Sequence, residues 1–206
     1  MLPPMSKTQV TSTGSARGSR GSRGKERRRR IFTALHDCII RSGYGRTTLA
    51  DVAQSAGMTP SHLLYYFRGK EDILEQYFAM VAARFLGHIE AFRREAPEQQ
   101  IRSLADLWFR GETSNRREIG FMLECFGVAV HNDVLQATKA DFDQRCKRHL
   151  RHTFSAAPSE AAARDAAEIT FSLMIGLRSA VYFDDDIGLA DAHRLFQDTA
   201  LRLCQR

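Results

Sequence analysis

The segment Thr47 to Lys70, TTLADVAQSAGMTPSHLLYYFRGK, constrains the fold more than any other part of the chain. Thr48 with Asp51 three residues on makes a capping box, which predicts a short helix starting at once. Val52 and Ala53 form its inward side. Ala56-Gly57 ends it, because glycine adopts a positive φ without a Cβ clash. Thr59 caps a second helix, and Pro60 occupies its first turn, where a missing N–H costs nothing. Two helices this short cannot enclose a core. They make sense as a helix-turn-helix braced by neighbours, with the second helix offered to a groove.

Thr47-Thr48, Asp51-Val52-Ala53, Ala56-Gly57-Met58-Thr59, Leu63, Tyr65, Phe67, Lys70-Glu71 and Leu74 together resemble the N-terminal domain of the tetracycline-repressor (TetR) family of transcription regulators. Where that family commonly has Gly-Thr-Leu-Tyr-Tyr-His-Phe, this chain has Ser61-His62-Leu63-Leu64-Tyr65-Tyr66-Phe67. The resemblance implies an all-α protein, with a three-helix DNA-binding domain followed by a helical ligand-binding and dimerisation domain. It also implies a repressor that binds a palindromic double-stranded operator as a homodimer and is released by a small molecule.

Charge placement agrees. The net charge is +6, yet residues 1–30 carry nine Lys or Arg against one Glu. The rest of the chain is slightly acidic, so a basic tail joins a nearly neutral body. Residues 1–24 are rich in Ser, Gly and Arg with few large apolar groups, and are expected to be disordered. Arg17, Arg20 and Arg23 read either as a solubilising tail or as an arm that neutralises phosphates or enters a minor groove.

Helical spacing of Ile31, Leu35, Cys38 and Ile39 predicts a first helix over residues 25–42. A connecting helix follows over about 70–94, carrying Ile73, Leu74, Tyr77, Phe78, Val81 and Phe85. Further helices are expected near 98–111, 116–131, 133–154, 159–183 and 189–204, and no alternating pattern suggests strands. The domain organisation expected is an arm over 1–24, a DNA-binding domain over 25–70 and an effector and dimerisation domain over 71–206. The last two helices carry stripes, Ala166, Ile169, Thr170, Leu173, Leu177 and Ala180 on one and Leu189, Ala192, Leu195, Phe196, Thr199 and Leu203 on the other. Each exceeds what one neighbour covers, and by resemblance these two helices pair with a partner's two. A dimer also doubles the base contacts of so short a reading helix.

The DNA-contact candidates are Arg46, Thr48, Thr59, Pro60, Ser61, His62, Tyr65, Tyr66 and Lys70. Ser61 and His62 lie where base edges pass, and His62 can donate to N7 or O6. Tyr65 matches the family's phosphate-contacting aromatic, while Phe67 reads as core. Thr48, Lys70 and Arg46 are backbone candidates. For an effector site the candidates are Trp108, Phe121, Met122, Phe126, Phe142, Phe171, Met174 and Tyr182, with His131 and Arg178 as polar handles. Core packing is the competing reading of each apolar one. Arg178 calls for a carboxylate or an anionic ligand, with Asp184, Asp185 or Asp186 as the ion-pair alternative.

Other chemistry finds little footing. The four cysteines, Cys38, Cys125, Cys146 and Cys204, are scattered and read as reduced, packed thiols. His149 and His152 stand three apart beside Lys147, Arg148 and Arg151, which favours a solvated basic face over a metal site. No cofactor is expected. No hydrolase elbow, phosphate-binding glycine loop or H-E-x-x-H stands in the chain, so a helical enzyme is the weaker rival and a non-specific basic nucleic-acid-binding protein the nearer one. No apolar run approaches the roughly twenty residues of a membrane span, and a cytoplasmic location is expected.

Overall fold

The computed structural model describes residues 16–111 and 114–205 of the chain, with side chains from residue 23 onward. Among the described residues the backbone forms nine helices and no strand. In chain order they are α1 (Ala16–Ser42), α2 (Leu49–Ser55), α3 (Pro60–Leu64), α4 (Lys70–Phe92) and α5 (Pro97–Phe109), followed by α6 (Arg116–Ala129), α7 (Asp133–Thr153), α8 (Glu160–Phe183) and α9 (Leu189–Cys204).

Helix starts follow local chemistry. Asn115, Asn132 and Ser159 each accept a hydrogen bond from the third helical residue of α6, α7 and α8. Pro97 opens α5 at its first position, where proline is tolerated. The expected boundaries hold to within a few residues, with one exception. Residues 16–24, expected to be disordered, are helical as part of α1, while 1–15 lie outside the described residues. Once Ile31 to Ile39 are packed, each further residue costs only propagation, which is far easier than nucleation.

Two hydrophobic clusters hold the chain together. One gathers Ile31, Leu35, Val52, Leu63, Phe67, Ile73 and Leu74 from α1 to α4 with Phe121, Cys125 and Ala129 of α6 and Leu135 of α7. The other joins α4, α5, α7, α8 and α9 around Trp108, Phe109, Phe142, Phe171 and Phe196. The first cluster runs across the sequence boundary near residue 70, so the N-terminal helices share their core with α6. On α4 the buried stripe is Ile73, Leu74, Ala82, Leu86 and Ile89. Of the stripe expected there, Val81 is exposed and Tyr77, Phe78 and Phe85 are half-buried, and all four border a cavity.

Polar ties supplement the cores. Trp108 Nε1 donates to the Met174 carbonyl at 2.9 Å, linking α5 to α8. His193 Nε2 lies 2.8 Å from Asp106 and joins α9 to α5. Cys125 and Cys146 are buried, and burial pushes both thiols up to about 12, which keeps them protonated and inert.

Three expectations change with packing. His149 does not lie on a solvated face: it is buried, and desolvation lowers its pKa to about 4. Helix α8 is long and apolar enough by composition to cross a membrane, because the average counts small residues that no unbroken apolar run contains. Of its most apolar window, 39% is buried inside this protein, against α6, α7 and α9. The stripe read on α8 divides: Ala166, Thr170 and Leu177 pack within the chain, whereas Ile169 is 51% exposed.

Candidate nucleic-acid interface and effector cavity

The turn between α2 and α3 has the geometry its residues dictate. The Thr48 hydroxyl accepts from Asp51 N at 3.1 Å, and Asp51 Oδ2 accepts from Thr48 N at 2.8 Å. Gly57 sits at φ +68°, and Thr59 Oγ1 accepts from His62 N at 3.2 Å. Leu63 and Phe67 anchor α3 from beneath. Pro60, Ser61, His62 and Leu64 are left on the outside, and Tyr65 is 82% exposed.

The DNA-contact candidates do not all stand free. Thr59, Pro60, Ser61, His62 and Tyr65 cluster on the outer side of α3. Tyr66 is half-buried, its ring 5.2 Å from Tyr65 and 5.5 Å from His62, and its hydroxyl accepts from Arg27 at 2.9 Å. Lys70 donates to the Tyr44 and Thr47 carbonyls at 2.9 and 2.8 Å and lies 4.0 Å above the Tyr44 ring. Its ammonium therefore braces the loop leading into α2. Arg46 is exposed and donates to the Ser42 carbonyl, and the Thr48 hydroxyl is engaged in its cap. Sequence reading missed Arg28, which sits 4.9 Å over Phe67 and donates to the Tyr66 carbonyl, because nothing local ties residue 28 to residue 66.

A cavity of about 130 Å³ lies among α4, α5, α6, α7 and α8. Six of the ten effector candidates line it: Trp108, Phe121, Met122, Phe126, Phe142 and Arg178. Tyr77, Phe78, Val81, Ala82 and Phe85 of α4, with Glu118 and Cys125 of α6, complete the wall and were not anticipated. Phe171 and Met174 are packed in the core. Tyr182 and His131 border a separate open groove, where Tyr182 lies so close to Gly120 that a Cβ there would stand 2.8 Å from its ring. A dry apolar cavity of about 150 Å³ admits a molecule the size of benzene, so the space suits a small ligand.

The wall is aromatic with two charges. Phe85 meets Trp108 and Phe142 at ring separations of 4.8 and 5.5 Å. The Arg178 guanidinium lies 4.6 Å over Trp108, 4% exposed. Desolvation lowers its pKa to about 10 while the Glu118 charge opposes the fall, leaving it a cation at neutral pH. Of the aspartate run, Asp185 pairs with Arg116 at 3.1 Å and Asp184 accepts from Asp186 N.

Glu118 also looks the other way. Its Oε2 lies 3.0 Å from His36 Nε2 on α1. Nearby, Arg117 pairs with Asp37 at 2.7 Å, and Glu124 accepts from Tyr44 N at 3.1 Å. One face of α6 thus lines the cavity while another grips α1 and the loop that follows it. Burial alone would depress the His36 pKa, but hydrogen bonds and charge from Glu118 and Asp37 outweigh it and raise the value.

Comparison with known proteins accords with this geometry. The model for bacterial regulatory proteins of the tetR family matches residues 31–77, and that for the BetI-type transcriptional repressor C-terminal domain matches 97–205. The regulator BetI 1 of Chromohalobacter salexigens is 28% identical over 155 residues, covering 73% of this chain and 76% of its own. BetI of Paraburkholderia xenovorans is 29% identical over 155 residues, covering 73% and 79%. Among solved structures, a transcriptional regulator from Rhodococcus sp. Rha1 superposes with a TM-score of 0.76 at 15% identity, covering 86% of this chain and 96% of that one. A regulator from Saccharomonospora viridis, solved in complex with choline, does so at 0.71 and 19%, covering 84% and 95%. With its C-terminal match spanning more than half its length, and a capped helix-turn-helix ahead of it, the chain belongs to the TetR family and is a ligand-responsive DNA-binding transcriptional repressor with a BetI-type C-terminal domain.

Proposed function

We propose that α3 reads the operator through Ser61 and His62 while Pro60, Tyr65 and Tyr66 seat it on the duplex. The carrying observation is the exposed outer side of α3, held rigid over buried Leu63 and Phe67. Thr48, Thr59 and Arg46 sit at or beside helix starts suited to phosphates. Lys70 acts by holding their loop, with a phosphate contact secondary. The reading unit spans about residues 25–70, and residues 71–206 form the effector and dimerisation unit in the cytoplasm. Dimerisation uses the outer faces of α8 and α9.

His62→Ala is expected to change sequence preference at one base pair, by about 1–3 kcal/mol. Lys70→Ala should instead weaken all duplexes alike. Selection of bound sequences from random duplex DNA distinguishes the two. An unaltered consensus from His62→Ala would remove that side chain from the readout.

The effector we infer is a small organic cation bound in the aromatic cavity beside Glu118. Aromatic faces attract cations, and Arg178 above Trp108 is a resident example on the same wall. The choline complex of the Saccharomonospora viridis protein supports the same class. Trp108 is the chain's one tryptophan, so its fluorescence reports on the cavity directly. Millimolar choline should shift it saturably. A response to short carboxylates and none to choline would transfer the handle to Arg178.

Occupation of the cavity is coupled to DNA through the Glu118–His36 contact. Because the His36 pKa is raised on folding, its stabilisation is fully present below the unfolded value of about 6.5 and is lost as pH rises through the folded value. Stability of the wild type should therefore decline across that window more than that of His36→Leu. Parallel curves in thermal melts at a series of pH values would show that Glu118 and Asp37 do not stabilise the His36 charge.

A further inference from the structure

Helix α1 is longer than its packing requires. Its buried face begins at Ile31, yet the helix starts at Ala16. The fifteen residues between span about 22 Å at 1.5 Å each. They carry eight Lys or Arg and a single Glu, and that Glu26 lies 2.9 Å from Arg29 and 3.6 Å from Arg30. Arg23, Lys25 and Arg27 to Arg30 are all exposed.

The place where this segment leaves the protein is specific. Arg27 donates to the Tyr66 hydroxyl, and Arg28 donates to the Tyr66 carbonyl and, at 2.7 Å, to Gln76. Tyr66 in turn packs against Tyr65 and His62. The basic segment therefore departs beside the outer side of α3. Arg23, Arg27 and Arg30 recur at spacings of four and three, which places them on one face of the helix, the face that Arg27 turns toward Tyr66.

A helix with this charge density repels itself, and its glycines weaken it further. A densely and regularly charged anion offsets both. Duplex DNA supplies one phosphate per about 1.7 Å. A membrane surface fits less well, because residues 16–30 offer no large apolar side chain to bury among acyl chains.

We propose that residues 16–30 of α1 form a second DNA contact, lying along the backbone outside the half-site read by α3, with Arg23, Arg27 and Arg30 on phosphates. This rests on the reading of α3 given above. The reach of about 22 Å corresponds to roughly six base pairs of flanking duplex at 3.4 Å each. The flank is held by charge alone and contributes affinity without preference.

The test uses the full chain with Arg23→Gln and Arg30→Gln together, which keeps helix-forming residues and leaves Arg27 on Tyr66. Binding is measured over a salt series to an operator duplex, a scrambled duplex, and an operator trimmed by six base pairs on each side. The slope of log affinity against log salt should fall by roughly 3 to 4 per dimer, at about 0.9 per lost phosphate contact. Affinity at low salt should drop roughly tenfold or more, with operator preference intact. Trimming should weaken the wild type more than the variant, which keeps Arg27. Equal slopes and equal sensitivity to trimming would overturn the α1 contact, as would anionic vesicles displacing wild type from the long duplex. Loss of preference between operator and scrambled duplex in wild type would overturn the α3 reading instead, and the trimming result would still decide α1.

Discussion

Replacing Ile169 and Leu195 by aspartate is expected to give a folded monomer that binds its operator at least about 100-fold more weakly. Ile169 on α8 is 51% exposed and Leu195 on α9 is 38% exposed. Gly176, two turns beyond Ile169, is exposed, and a Cβ built there meets nothing within 4 Å of it. That combination leaves room for another backbone to approach closely. Neither side chain is needed for the cores of its own chain, so the melting temperature of the isolated protomer should change little. Two aspartates facing their copies across a two-fold axis would be desolvated without partners, a cost no dimer interface of ordinary size absorbs. Losing one of two linked half-site contacts forfeits the effective-concentration gain, about 10²-fold or more. Sedimentation and operator binding on the same sample check both parts. A variant that stays dimeric would place the interface elsewhere.

Phe196→Ala should destabilise the protein by about 3–5 kcal/mol, lowering the melting temperature by about 10 °C or more. Phe196 is fully buried on α9, with its ring 5.5 Å from that of Phe109 on α5. Helices α5 and α9 are 80 residues apart in sequence and share this contact and the His193–Asp106 pair. Truncation removes the ring and leaves a cavity that rigid helices cannot collapse around. Phe196→Leu should cost less than half as much, which separates a packing loss from local unfolding. A calorimetric shift of only a degree or two for the alanine variant would show that α9 contributes little to the body.

The relation between Phe196 and Leu195 illustrates what the sequence did and did not disclose. Both appeared in one apolar stripe, expected as a partner-facing surface. Packing divides them: Phe196 faces α5 within the chain and Leu195 faces outward. Periodicity gives the width of an apolar face and never says which neighbour covers which part of it. The aromatic cavity divides in the same way. The aromatic residues of α5, α6 and α7 were legible as lining because they stood out on amphipathic helices. The α4 wall, Tyr77 to Phe85, looked like an ordinary core stripe. It is open to the cavity, while Leu86 and Ile89 take the core instead. Glu118 carried no signal in the sequence, because its two-sided position needs the whole fold.

Local chemistry alone determined the helix-turn-helix. Thr48 with Asp51, Gly57, and Thr59 with Pro60 each act within a few residues of themselves, so their geometry is written in neighbouring positions. Helix boundaries and the all-α class follow from the same short-range rules. Only the tertiary structure decided that Lys70 braces a loop and that α6 lies between the cavity and α1. Those outcomes depend on contacts across 23 to 82 residues, where burial and pairing are set by the packing of whole helices and not by any local pattern.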